Sequence, residues 1–165
     1  MHIEQFNAAD RTDAVASLRP CLDIQRWLDE LADARPYSGL ESLLAAGRRA
    51  ADPFTPAEVA AALAHHPRIG ERAPGTSTEA RLSQSEQAGL GNPEAAVAEA
   101  LADGNRAYEE KFGQVFLIRA AGRSGAEILT SLNARLAHTP EQEEHIIGQQ
   151  LREIAVLRLE GLMSK

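Results

Sequence analysis

The chain reads as an all-α protein, a single-domain multi-helix bundle, and three observations predict it. Alanine dominates an apolar set that makes up 44% of the 165 residues, while aromatics are only 4%. Small side chains suit closely packed helices, whereas a β-sandwich would want more Val, Ile, Thr and Tyr. Helix-start signatures recur along the whole length. The only stretch that reads as extended, Val115–Ile118 after Gly113, is too short to build a sheet of its own.

The elements follow in order. Asp10 caps a helix running to about Leu18, ended by Pro20. Asp23 opens a helix over Ile24–Ala34, closed by Pro36, and a third runs from about Leu40 to Ala51. Thr55-Pro56-Ala57-Glu58 is a capping box with proline at the first helical position. Ser83-Gln84-Ser85-Glu86 has the same form, which predicts a helix N-terminus there. Pro93 opens a long helix through Tyr108 to about Phe112. Ser124-Gly125-Ala126-Glu127 and Thr139-Pro140-Glu141-Gln142 are two more capping boxes, the second leading a helix nearly to the end. Gly70–Thr78 carries the most turn chemistry, and a loop of that length is either a plain connector or the wall of a site.

Bulk properties narrow the function classes. The length suits one domain, residues 1–165, with a substantial core. A net charge of −7 offers no basic surface for a phosphate backbone, so no nucleic-acid partner is expected. Cys21 is the only cysteine, which excludes an internal disulfide and a zinc–cysteine cluster. There is no charged-then-apolar leader and no apolar run near about 18 residues, so a cytoplasmic protein without a membrane partner is expected. Ser164-Lys165 stops short of a peroxisomal address.

Three residues stand in improbable places. Val59, Leu63 and His66 share one helix face, and Pro67 puts His66 at the helix's C-terminal edge. Unpaired carbonyls there favour the imidazolium and burial opposes it, a balance suited to a general acid or base. The plainer alternative is a core histidine with a satisfied hydrogen bond. Arg158 falls in the middle of the apolar stripe Ile147, Leu151, Ile154, Leu162, with Arg152 on the opposite, solvent side. A guanidinium cannot shed its charge, so it must pair with a carboxylate of the protein, a partner subunit or a ligand, or else snorkel out. Glu86, third in its capping box, is either a cap or a ligand contact, and the amides of Ser83 to Gln87 would offer a helix N-terminus to anionic oxygens. His138 and His145, seven apart, make a poor metal pair, and no metal site is expected.

Taken in order, these residues resemble the 2-oxo-4-hydroxy-4-carboxy-5-ureidoimidazoline (OHCU) decarboxylases of urate breakdown. The resemblance rests on His66-Pro67 with Ile69-Gly70, Ser83-x-x-Glu86-Gln87-Ala88-Gly89-Leu90, and Asn105-x-x-Tyr108-x-x-Lys111-Phe112-Gly113 leading into Val115-Phe116-Leu117-Ile118. Ile128-Leu129, Arg135-Leu136 and Leu157-Arg158-Leu159 complete it. It implies an all-α fold, usually a homodimer, that converts OHCU to (S)-allantoin with no metal or organic cofactor. It implies catalytic roles for His66, Glu86 and Arg158. It also implies substrate contacts at Pro67, at Ser83, Gln84, Ser85, Glu86 and Gln87, and at Phe116, Leu117, Ile118, Arg119 and Ala120. Two departures are Arg68, where many members have Asp, and Gln114, where an aromatic is common. The carboxyl-bearing carbon of OHCU adjoins a carbon–nitrogen double bond that accepts the electron pair left by carbon dioxide, so the substrate carries its own electron sink. Rival readings are a non-catalytic helical interaction module, a metal-dependent hydrolase using the scattered histidines, and a related lyase acting on another ureido or hydroxy acid.

Overall fold

The computed structural model describes residues 1–90 and 94–164. Among these the regular structure is helical throughout. In chain order it comprises α1 (Ile3–Ala8), α2 (Arg11–Leu18), α3 (Gln25–Asp33), α4 (Leu40–Arg49), α5 (Pro56–Leu63), α6 (Thr78–Gln87), α7 (Ala95–Phe112), α8 (Gly125–Arg135) and α9 (Pro140–Met163). A single 3₁₀ turn, Ala88–Leu90, extends α6. Residues 115–120 form an irregular connector with no strand.

Most starts obey their caps. Asp10, Thr55, Ser124 and Thr139 each accept the amide of the third helical residue, and the last three close reciprocal boxes with Glu58, Glu127 and Gln142. Gly113 ends α7 at φ 69°, a left-handed conformation that a Cβ would oppose. Asp23 does not cap α3: Ile24 holds that position without a side-chain bond, and Asp23 pairs with Arg19 instead. The start expected at Pro93 lies outside the described residues. Helix α1 has no cap signature in the sequence that betrays it, and its Phe6 is fully buried.

The largest correction concerns Ser83. It lies in the interior of α6, whose true cap is Ser77 accepting the Ala80 amide. A serine followed three residues later by glutamate is a capping box only at a helix start; inside a helix the same spacing sets both side chains on one face. The helix N-terminus expected at Ser83–Gln87 therefore does not exist. Arg152 is a second correction. Rather than facing solvent, its Nη1 donates to the Ala50 carbonyl at 2.6 Å and its guanidinium lies 4.2 Å from the Phe54 ring. The carboxyl end of α4 packs there, and its last carbonyls want a cation.

The long α9 buries residues along its length, from Glu143 to Met163. It packs on α4 and α5, while α7 pairs with α8 and α2 with α3. Close approach is arranged by glycine: a Cβ at Gly104 would overlap the Leu132 side chain between α7 and α8, and one at Gly47 would meet Leu159 at 3.2 Å. One contiguous core results, centred on Trp27, Phe6, Tyr108, Phe116 and the aliphatic faces of α3, α8 and α9. Each such side chain is worth about 1.5–3 kcal/mol when fully buried. Within this core α9 carries Arg158 inward between Ile154 and Leu162, as the stripe predicts, and α6 reaches it through Ser83 and Glu86.

Candidate active site

Arg158 is the anchor. Its side chain is only 2% exposed, and a charge so placed needs full compensation. Nε donates to Glu86 Oε1 at 2.6 Å and Nη2 to Oε2 at 3.0 Å, a planar fork on a carboxylate. Nη2 also donates to Ser83 Oγ at 3.1 Å, and Nη1 to the Pro20 carbonyl at 3.1 Å. Two of the residues singled out from sequence are thus each other's partners. Glu86 is not a cap; one turn beyond Ser83 on the same face of α6, it meets the guanidinium.

The rest of the 83–87 segment divides by helical period. Gln84 Nε2 donates to the Ala73 carbonyl at 3.0 Å, and Gln87 Oε1 accepts the Gly70 amide at 3.0 Å. These two amides pin the Gly70–Thr78 loop onto α6. Ser85 faces solvent.

His66 follows three residues after the end of α5. The chain leaves the helix in tightened turns, with the His65 and His66 amides on the Ala62 and Leu63 carbonyls at 3.1 Å each. The helix thus stops earlier than the sequence pattern suggests: residues 64–66 continue in tightened turns, and Pro67, which disfavours helical geometry for the residue before it, ends them. His66 lines a small recess of about 260 Å³ together with His65, Pro67, Ser77, Glu79 and Ser83, closed on one side by Ala73 and Pro74 of the pinned loop. The loop is therefore the wall of a recess, not a plain connector.

The electrostatics of the recess favour a neutral imidazole. Burial pushes His66 down from its ordinary value to about 4, and the positive charges of Arg158 and His65 push the same way. In the contest between helix-end carbonyls and desolvation, desolvation wins. Behind Arg158, burial raises the Cys21 thiol to about 12, so it stays protonated and is no nucleophile.

The Phe116–Ala120 segment is not brought to this recess. Phe116 packs edge-on to Tyr108 at 5.2 Å and lies under the Arg135 guanidinium. The Leu117 carbonyl accepts Arg135 Nη1 at 2.7 Å, and Ile118 and Ala120 are buried. The Arg119 amide donates to Gln150 Oε1 at 2.8 Å, and its guanidinium lines a separate groove with Arg123 and Arg152. What fixes the segment is a buried network that sequence reading missed. Glu143, fully buried, accepts Tyr108 Oη at 2.6 Å and Arg135 Nε at 2.8 Å on one oxygen, and His138 Nδ1 lies 2.9 Å from the other. The available signal was Glu143 at a helix start, one turn from Ile147 on the buried stripe. Among the described residues no group of three or more His, Cys, Asp or Glu side chains is placed to hold a metal ion.

Fold and site define an all-helical protein in which a buried guanidinium–carboxylate fork backs a recess bearing a neutral histidine. A family model described as OHCU decarboxylase matches residues 7–160, and the chain belongs to that family. It is 26% identical over 159 residues to the 2-oxo-4-hydroxy-4-carboxy-5-ureidoimidazoline decarboxylase of Haloferax volcanii, covering 95% of this chain and 93% of that one. It is 36% identical over 106 residues to the uric acid degradation bifunctional protein TTL of Arabidopsis thaliana, covering 62% of this chain and 33% of that protein. The matched segment thus covers only about a third of that longer relative. A crystal structure of OHCU decarboxylase in the presence of (S)-allantoin superimposes with a TM-score of 0.70 at 26% identity, over 88% of this chain and 95% of that one. A crystal structure of (S)-allantoin synthase, 17% identical, shares the fold with a TM-score of 0.73 over 99% of this chain and 54% of that one.

Proposed function

We propose that this chain is a carboxy-lyase converting OHCU to (S)-allantoin in urate degradation, working as one domain, as a cytoplasmic homodimer and without a cofactor. The observation that carries the reading is the family match over residues 7–160, joined to a His66 that burial and Arg158 hold neutral beside a recess. No helix among the described residues is long and apolar enough to cross a membrane.

The chemistry runs on the substrate's own bonds. The bond from the ring carbon to its carboxylate breaks, and the electron pair moves into the adjoining carbon–nitrogen double bond, whose nitrogen takes a proton. The remaining enol loses its hydroxyl proton as the ureido-bearing carbon gains one, which gives the ring carbonyl and the single stereocentre of allantoin. His66, neutral, accepts the hydroxyl proton and serves the protonation on one face; such transfer is typically worth roughly 10²–10⁴-fold. Arg158 already makes four hydrogen bonds to protein groups, so it acts as a fixed cation behind the recess, not as a clamp on the departing carboxylate. That placement avoids stabilising the ground state, which would slow the step. Ser83 carries the influence of Arg158 to the recess wall, and Glu86 keeps the guanidinium in place. Pro67 lines the recess directly, and Gln84 and Gln87 hold its wall. Contacts from Ser85 and from Phe116–Ala120 rest on the resemblance alone.

The test generates the unstable substrate in situ from urate and follows optical activity by circular dichroism. Optically active allantoin is expected to form faster with protein present, and an unchanged rate would reject the reading. Light scattering at twice the monomer mass is expected for the homodimer.

A further inference from the structure

The His66 recess has a carboxylate of its own. Glu79, in the first turn of α6, lines it beside His65, His66 and Ser83. Glu86 does not line it, since both of its oxygens are held by the Arg158 fork. Glu79 is half-buried, and the ionisable group placed to pair with it is His65, whose Nδ1 stands 4.0 Å from Oε2, beyond hydrogen-bond reach. Among the described residues no donor is hydrogen-bonded to this carboxylate. Burial raises its pKa above the ordinary glutamate value; Asp23 and Glu86 add to that, and His65 and Arg158 oppose it. A half-buried carboxylate at the wall of a recess, with no protein donor on it, is open to N–H groups from whatever enters.

Ureides supply such groups. A ureido arm presents N–H donors side by side, and their spacing matches the two oxygens of a carboxylate. We propose that Glu79 is a substrate-binding and specificity-determining residue that holds the ureido arm, leaving the carboxyl-bearing ring carbon toward His66. The proposal rests on the decarboxylase reading above and assigns one end of its substrate to a named group. It places the two polar ends of the recess in different roles: His66 moves protons, and Glu79 tells a ureide from a bare ring.

The experiment compares binding of (S)-allantoin with binding of hydantoin, the same ring lacking the ureido arm, by calorimetry. Wild type is expected to prefer allantoin by about tenfold or more, because the ring N–H groups of hydantoin diverge and only the ureido arm offers a side-by-side donor pair to the carboxylate. Glu79→Ala is expected to shrink that preference to within about threefold while hydantoin binds as before. Unchanged hydantoin binding also reports an intact recess. Glu79→Gln, which keeps the shape and one acceptor, is expected to fall between. A preference undiminished in both variants overturns the proposal, as does a wild type that turns over OHCU yet binds both rings equally. If wild type neither turns over OHCU nor binds allantoin, the decarboxylase reading falls and the proposal falls with it.

Discussion

Single residues decide the chemistry through their surroundings. In an unfolded chain His66 would protonate near 6.5, but in the fold it resists until about 4. Between those values the unfolded state binds more protons. Its contribution to stability is therefore complete above about 6.5 and is lost as pH falls toward 4. Two outcomes follow for His66→Ala. Turnover should drop roughly 10²–10⁴-fold with the fold retained. The urea midpoint of wild type should fall more steeply than that of the variant between pH 7 and pH 4.5; parallel curves would contradict the depressed histidine. Glu86 makes the complementary case. Glu86→Gln leaves the Arg158 charge buried without a counter-ion, and a loss of about 3–5 kcal/mol is expected. Replacing both partners with apolar residues of similar volume should cost less, because no orphan charge remains. Equal midpoints for the single and double variants in denaturant would count against this.

Among the elements, α7 and α8 approach closely at Gly104. Gly104 has no room for a methyl group against Leu132, so Gly104→Ala forces the helices apart or Leu132 off its rotamer. A cost of about 1–3 kcal/mol is expected in urea unfolding, outweighing the gain in helix propensity that alanine normally brings. A stabilised variant would mean that the two helices tolerate a wider spacing. The position of α6 illustrates how an element can be read correctly in kind and wrongly in register. The Ser-x-x-Glu spacing at 83–86 is a genuine helical signal, but Ser77 and the preceding loop decide where the helix begins. The consequence is a different set of partners: Ser83 and Glu86 become one face turned to Arg158 instead of a row of free amides.

The whole molecule is held by two buried polar clusters joined along α9. Arg158 gathers α6 and the Pro20 turn at one end, and Glu143 gathers α7, α8 and His138 at the other. The second cluster fixes the 115–120 connector, since Arg135 bonds both Glu143 and the Leu117 carbonyl. Glu143→Gln would weaken three partners at once, and a cooperative loss of about 3 kcal/mol or more is expected, seen as a single shifted thermal transition. A variant that melts like wild type would show the cluster to be dispensable.

The sequence alone determined the helical class, the capped starts at Asp10, Thr55, Ser124 and Thr139, and Arg158 set into an apolar stripe; it singled out His66 too, though the helix stops before that residue. Those features are local: caps act over three residues and a helix wheel over a few turns. His66 and Arg158 were legible because each breaks a periodic pattern. The tertiary structure alone decided what the pattern-breakers meet. Glu86 as the partner of Arg158 spans 72 residues, and no spacing rule reaches that far. Glu79 at the recess, the seat of Arg152 on the α4 carbonyls and the burial that holds His66 neutral likewise depend on which helix faces converge. Charge state and partnership follow from desolvation and proximity, and both are properties of the packed molecule.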